Sequence, residues 1–160
     1  MSNKVTNVVF AGLGGQGVLK ASDILSDAAF HAGLDVKKAE IHGMSQRGGS
    51  VTSDVRFGRD VLSPMVPAGK ADYLVVLSAD QVDNNMHHLS ESGTLVGPGS
   101  VDPSDLPNKR SFNIAMLGAL SVHLDIDDEC FRKAIAVNLP EKTHEVNFEA
   151  FEIGKNAVKK

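Results

Sequence analysis

The stretch VVFAGLGGQGVLKAS, Val8 to Ser22, decides the fold. Val5 to Ala11 is a short β-branched run that stops at Gly12, and from Val18 the apolar residues Val18, Ala21, Leu25, Ala28, Ala29 and Ala32 recur at helical spacing. Gly12, Gly14 and Gly17 fall between strand and helix in the pattern G-x-G-x-x-G, so Gly12, Gly14, Gly15, Gln16 and Gly17 form the candidate cofactor-binding set. In that position bare backbone N–H groups and the helix dipole can meet an anion. The same glycines also suit a tight turn and close packing of helix on sheet, with no ligand at all.

Outward from this loop the pattern stays α/β. Gly33 stands where a helix ends in a left-handed residue, and Leu34 to Ile41 reads as a second strand, giving βαβ. Val51, Ser53, Val55 and Phe57 alternate with polar neighbours up to Gly58, and this strand is expected to form a hairpin with Val61 to Ser63. Tyr73 to Leu77 is the continuous apolar run of a covered parallel strand. Ser78 is then expected to cap a helix carrying Val82, Met86 and Leu89 as far as Gly93, before a short strand Thr94 to Val96. A loop with Pro98, Pro103 and Pro107 follows. Ile114, Leu117, Leu120 and Leu124 mark one helix. Asp127 offers a cap for the next, with Phe131, Ala134 and Ile135 inward, and Phe148, Phe151, Lys155 and Val158 mark the last. The expected fold is a single α/β domain over residues 1–160: Rossmann-like, a mainly parallel twisted sheet with flanking helices, an antiparallel hairpin and a helical C-terminal third.

Composition narrows the function. With 160 residues, 42% hydrophobic and 22% charged, the chain is an ordinary one-core globular protein. Its net charge of -4 argues against a nucleic-acid binder, although residues 1–70 carry 8 Lys and Arg against 6 Asp and Glu, and the remainder 8 against 14. The N-terminus lacks a signal peptide's apolar core and no run is long enough to span a bilayer, so a soluble cytoplasmic protein, off the membrane, is expected. Cys130 is the only cysteine, so no internal disulfide forms and no iron-sulfur cluster can be held by this chain's thiolates; helix packing is its expected role. No G-x-S-x-G occurs and Ser50 has no evident base, which disfavours a hydrolase. His31, His87, His88, His123 and His144 read as solvated or capping, with His87 and His88 pointing apart on a helix, and no metal site is expected.

A second cluster, HGMSQRGGS from His42 to Ser50, is richer than a turn requires. His42, Ser45, Gln46, Arg47, Gly48, Gly49 and Ser50 are the candidate partner or anion contacts. Arg47 suits a bidentate grip on carboxylate or phosphate, with the Gly48 and Gly49 amides as an anion nest beside it. Docking of a partner chain suits them equally, a solvated loop is the plain alternative, and His42 also suits a structural or interface role. Glu40, 23 residues past Gly17, is the acidic residue available to a ribose, which leaves open a stand-alone dinucleotide-binding redox sensor.

GLGGQGVLKAS, KKAEIHGMSQRGGSV, Val55-Arg56, Ser63-Pro64, Ala71-Asp72 and FNIAMLGAL, in this order along nearly the whole chain, together resemble the gamma-type subunit of 2-oxoacid:ferredoxin oxidoreductases. HGMSQRGGSV looks most like the indolepyruvate ferredoxin oxidoreductase beta subunit. The resemblance implies an enzyme that decarboxylates a 2-oxoacid on thiamine diphosphate, passes the acyl group to the co-substrate coenzyme A and sends two electrons through iron-sulfur clusters to ferredoxin. It also implies that a larger partner subunit holds thiamine diphosphate, magnesium and the clusters. The lone cysteine agrees, as does the lack of a convincing Gly-Asp-Gly with a downstream Asn for magnesium and a diphosphate. One departure is the connection from Thr94–Val96 to the helix near Asn113, which is shorter here than is usual in the family.

Overall fold

The computed structural model describes residues 4–42 and 49–159, with the backbone alone of His42. Strand β1 (Thr6–Leu13) leads through the glycine loop into α1 (Val18–His31), and then come β2 (Asp35–His42), β3 (Ser50–Gly58) and β4 (Ala71–Val76). A short α2 (Val82–Asn85) between 3-10 turns precedes β5 (Leu89–Val96), and α3 (Phe112–Ser121), α4 (Asp128–Asn138) and α5 (His144–Lys159) complete the chain. The strands form one sheet in the order β2-β3-β1-β4-β5. β1, β4 and β5 pair in parallel, whereas β3 runs antiparallel to both β1 and β2. The α/β class with a helical C-terminal third is as expected. The sheet is mixed, because β3 has entered between the two strands of the βαβ unit.

The expected hairpin partner is corrected accordingly: β3 pairs with β2 and β1, and Val61 to Ser63 form no strand. Side chains from the sheet take the groups a ladder would need. Asp35 Oδ2 accepts the Val61 N–H at 2.8 Å and Asp54 Oδ2 the Val66 N–H at 2.9 Å. Arg56 donates to the Ser63 carbonyl and hydroxyl, each at 2.9 Å, and Asn7 Nδ2 donates to the Lys70 carbonyl at 3.1 Å. Pro64 and Pro67 have no N–H to offer a neighbouring strand. The segment is a strap across one face of the sheet, over Val9, Ala11, Leu74 and Val76.

The helix expected after Ser78 is likewise shorter. Ser78 hydrogen-bonds the Asp80 carboxylate at 2.5 Å instead of capping, and β5 begins at Leu89, paired with Ala71, rather than at Thr94. Gly93 permits the irregular register there, since a Cβ on it would lie 2.8 Å from the Ala71 carbonyl. Asp127 occupies the N-cap position of α4 without making a side-chain cap bond. α1, α3, α4 and α5 all contribute to the main core with Val8, Phe10, Val55 and Val75 of the opposite sheet face. α3 is buried from Asn113 to Ser121, on every side, which is why its sequence is apolar with little amphipathic contrast. α5 packs against it, and Lys155 of α5 is only 8% exposed, its stem along the apolar face and its ammonium bonded to Asp128.

Candidate functional site

The first glycine loop is held by its own side chain. Gln16 Oε1 accepts the Leu13 N–H at 2.7 Å and the Gln16 N–H donates to the Leu13 carbonyl at 3.2 Å. A Cβ on Gly12 would lie 2.8 Å from that Gln16 oxygen and from Val18 Cγ2, so the fold-back requires glycine. Gly15 and Gly17 have φ of 90° and 83°, the left-handed region, and Gly17 is the N-cap of α1. The Gly17 carbonyl accepts the Ala21 N–H at 3.0 Å and Asn113 Nδ2 at 3.2 Å, which ties the loop to the start of α3.

The second cluster reaches the same place. Ser50 pairs with Leu13 across the sheet, and the Gly14 N–H donates to the Gly49 carbonyl at 2.9 Å. Thus Gly49 and Ser50 stand beside the first loop at the carboxyl edge of β1. Residues 43–48, including Ser45, Gln46, Arg47 and Gly48, lie outside the described residues, as does the side chain of His42.

The site's donors follow from what is already bonded. Among the described residues, no acceptor meets the N–H groups of Gly15, Gly17, Val18, Leu19 or Lys20, and α1 has neither a side-chain cap nor an acidic residue in its first turn. Of these residues, Gly15 and Gly17 line a cavity of about 590 Å³ together with Lys109, Arg110, Phe112 and Asn113, and Val18, Leu19 and Lys20 line a neighbouring one that shares both glycines. Neither Lys109 nor Arg110 has an ion-pair partner among the described residues. Such an arrangement suits an anion: directional N–H donors on one side, two mobile cations on the other. Sequence reasoning missed Lys109, Arg110 and Asn113. The available signal was a basic pair in the otherwise acidic half, directly before an apolar helix.

Other candidates separate from this site. Glu40 accepts Lys38 Nζ at 2.9 Å, and Lys38 also reaches Asp23 of α1. Because β3 lies between β2 and β1, Glu40 is two strand spacings from the loop, about 10 Å, rather than on the adjacent strand that a ribose-binding acid occupies. His87 and His88 do not point apart: within the 3-10 turn Met86–His88 their ring centroids lie 4.1 Å from each other. Burial pushes the Asp54 carboxyl up, opposed by the Val66 N–H and by His88, while burial pushes His88 down. Among the described residues no three of His, Cys, Asp and Glu gather as metal ligands, and no helix is long and apolar enough to cross a membrane.

Residues 7–109 match the family model described as pyruvate ferredoxin/flavodoxin oxidoreductase. The chain belongs to this family. It is 33% identical to indolepyruvate oxidoreductase subunit IorB of Thermococcus kodakarensis over 198 aligned positions, covering 98% of this chain and 97% of that protein. As the chain has 160 residues, the relative carries segments with no counterpart here. The fold is shared with a keto/oxoacid ferredoxin oxidoreductase gamma subunit from Geobacter sulfurreducens, at TM-score 0.81 and 23% identity, covering 96% of this chain and 98% of that one. It also appears in a 2-oxoglutarate:ferredoxin oxidoreductase of Magnetococcus marinus, at TM-score 0.83 and 21% identity, where 99% of this chain spans 32% of the longer one. These similarities support the oxidoreductase-subunit reading. They lend nothing to the stand-alone dinucleotide sensor, which the position of Glu40 also disfavours.

Proposed function

We propose that residues 1–160 form one gamma-type domain, the accessory subunit of a cytoplasmic, thiamine-diphosphate-dependent 2-oxoacid:ferredoxin oxidoreductase acting on indolepyruvate and related arylpyruvates. The observation that carries the reading is the end-to-end match to the T. kodakarensis indolepyruvate oxidoreductase subunit. In the reaction, a 2-oxoacid, coenzyme A and oxidised ferredoxin give acyl-coenzyme A, carbon dioxide and reduced ferredoxin. One cysteine cannot supply the thiolates of an iron-sulfur cluster within this chain. A larger partner subunit supplies those groups and delivers electrons to ferredoxin. This chain's own contribution is at the glycine loops. Gly15, Gly17 and the first turn of α1, with Lys109 and Arg110, bind the phosphates of coenzyme A, and Arg47 with its neighbours meets the partner or the same anion.

Reconstitution with the larger subunit tests this. Indolepyruvate-dependent ferredoxin reduction requires both chains, and the double variant Lys109→Ala/Arg110→Ala raises the KM for coenzyme A about tenfold or more while leaving the KM for indolepyruvate near its original value. Arg47→Ala weakens assembly or turnover but leaves the isolated chain folded. Equal activity with and without this chain would defeat the proposal.

A further inference from the structure

Another cavity lies away from the glycine loops. About 810 Å³ in volume, it opens at the other edge of the sheet, where β1 and β4 begin, β3 ends and α3 gives way to the turn before α4. Its wall is an aromatic pair: Tyr73 stacks on His123 with centroids 5.6 Å apart and planes 30° from parallel, and the Tyr73 hydroxyl donates to the His123 carbonyl at 3.2 Å, which fixes the ring. Around it stand Arg59 and Lys4, Asp72 and Asp125, so the lining charges balance in sign.

Most polar groups elsewhere on the strands are already engaged, as Asp35, Asp54 and Arg56 are by the strap. Here they are not. Arg59 and Asp125 have no ion pair or hydrogen bond among the described residues, and the hydroxyls of Ser92 and Thr94 on β5 make none either. Asp72 already accepts the Asn7 N–H at 2.8 Å through Oδ2, whereas Asp125 accepts no bond among the described residues. A flat platform flanked by one uncommitted cation and one uncommitted anion has a specific chemical complement. A ligand of net charge would set one of them against its own sign, whereas a zwitterion satisfies both.

We propose that this cavity is a second ligand site that binds a free aromatic α-amino acid, its ring on the Tyr73–His123 pair, its carboxylate on Arg59 and its ammonium on Asp125. The site is on the opposite edge of the sheet from the glycine loops, and the proposal does not depend on the oxidoreductase reading.

The chain has one tyrosine and no tryptophan, so its intrinsic fluorescence reports Tyr73 alone. L-Phenylalanine titrated into the full chain is expected to change that emission saturably, with half-saturation at roughly 0.1–1 mM, and calorimetry should give the same constant. 3-Phenylpropionate, which lacks the ammonium, and phenethylamine, which lacks the carboxylate, bind about tenfold or more weakly. Arg59→Ala lowers affinity for L-phenylalanine and leaves phenethylamine unaffected; Asp125→Ala does the reverse, lowering L-phenylalanine and sparing 3-phenylpropionate. Both residues are exposed and unbonded among the described residues, so the variants keep the parent melting temperature. No saturable response up to about 10 mM overturns the proposal. So does equal binding of either truncated analogue, or L-phenylalanine affinity unchanged in both variants.

Discussion

Replacing Gly154 by alanine sets two physical effects against each other, and the structure says which wins. Alanine is the better helix former by about 1 kcal/mol, so propensity alone predicts a more stable protein. Yet a Cβ at position 154 would lie 1.7 Å from the Ala115 carbonyl oxygen and 2.6 Å from its carbon, where real contacts stop near 3.0 Å. The obstacle is backbone, and that carbonyl belongs to a helix buried on every side, so no side chain can swing aside. α5 must retreat from α3 by more than 1 Å, and the reciprocal contact, Gly118 against the Phe151 carbonyl at 2.1 Å from a hypothetical Cβ, opens with it. Loss of packing along that interface, around Phe151 and Ile114, costs about 3–5 kcal/mol. The net is a destabilisation of about 2–4 kcal/mol, a fall in melting temperature of roughly 5–15 °C for a chain of this size. Thermal and urea unfolding measure it, with Gly99→Ala as control, since nothing lies within 4 Å of a Cβ there. Asn113 lies in the first turn of α3, which directly follows the turn carrying Lys109 and Arg110, so anion binding should weaken in parallel. A Gly154→Ala melting temperature at or above the parent's would refute the close-approach argument.

Arg56→Ala removes the bonds to Asn7 and Ser63 and is expected to cost about 1–3 kcal/mol; limited proteolysis should then cut within residues 59–70 faster, and an unchanged cutting rate would count against the strap. Gly17→Ala meets both a φ of 83° and a Cβ only 2.4 Å from Asn113 Nδ2, so the double variant with Asn113→Ala should be more stable than Gly17→Ala alone by about 1 kcal/mol or more; a strictly additive pair would deny the contact. Burial raises the folded carboxyl of Asp54 above its unfolded value of 3.8, so the group costs stability at neutral pH and the cost fades as pH falls through the folded value. Asp54→Asn keeps an acceptor for the Val66 N–H, and urea unfolding should show it more stable than the parent near neutrality, with the gap closing towards about pH 4; a gap independent of pH would exclude this origin.

Local signals carried the elements better than their neighbours. The strand, turn and helix from Val8 onward, the left-handed Gly33 and the inward stem of Lys155 follow from short-range rules, and each is present. Strand order is not a local property. The alternation of β3 marked Asp54 and Arg56 as a solvent face, but Asp54 is 4% exposed because the strap covers that face. The polar residues that suggested a half-open strand are the ones that bind the cover. The same limit hid Asn113, whose partner Gly17 is 96 residues away.

The position of β3 also explains why a short chain carries two glycine clusters. In a parallel βαβ unit with adjacent strands, the loop after β2 also leaves from the carboxyl edge, but no strand pairing ties its far end to the loop after β1. Here β3 returns antiparallel beside β1, and its first residue Ser50 meets Leu13, the last residue of β1. The end of the second cluster is therefore fixed against the first by strand pairing, with the Gly14 to Gly49 hydrogen bond closing the contact. The first loop is locked internally through Gln16 and externally through Asn113, so in the anion site proposed above its N–H groups would be set in advance and the ordering cost of binding would fall on the cationic side chains. Gln16→Ala tests that division: it frees the Leu13 N–H and should weaken anion binding at unchanged net charge, whereas Lys109→Ala should weaken it in a salt-dependent way.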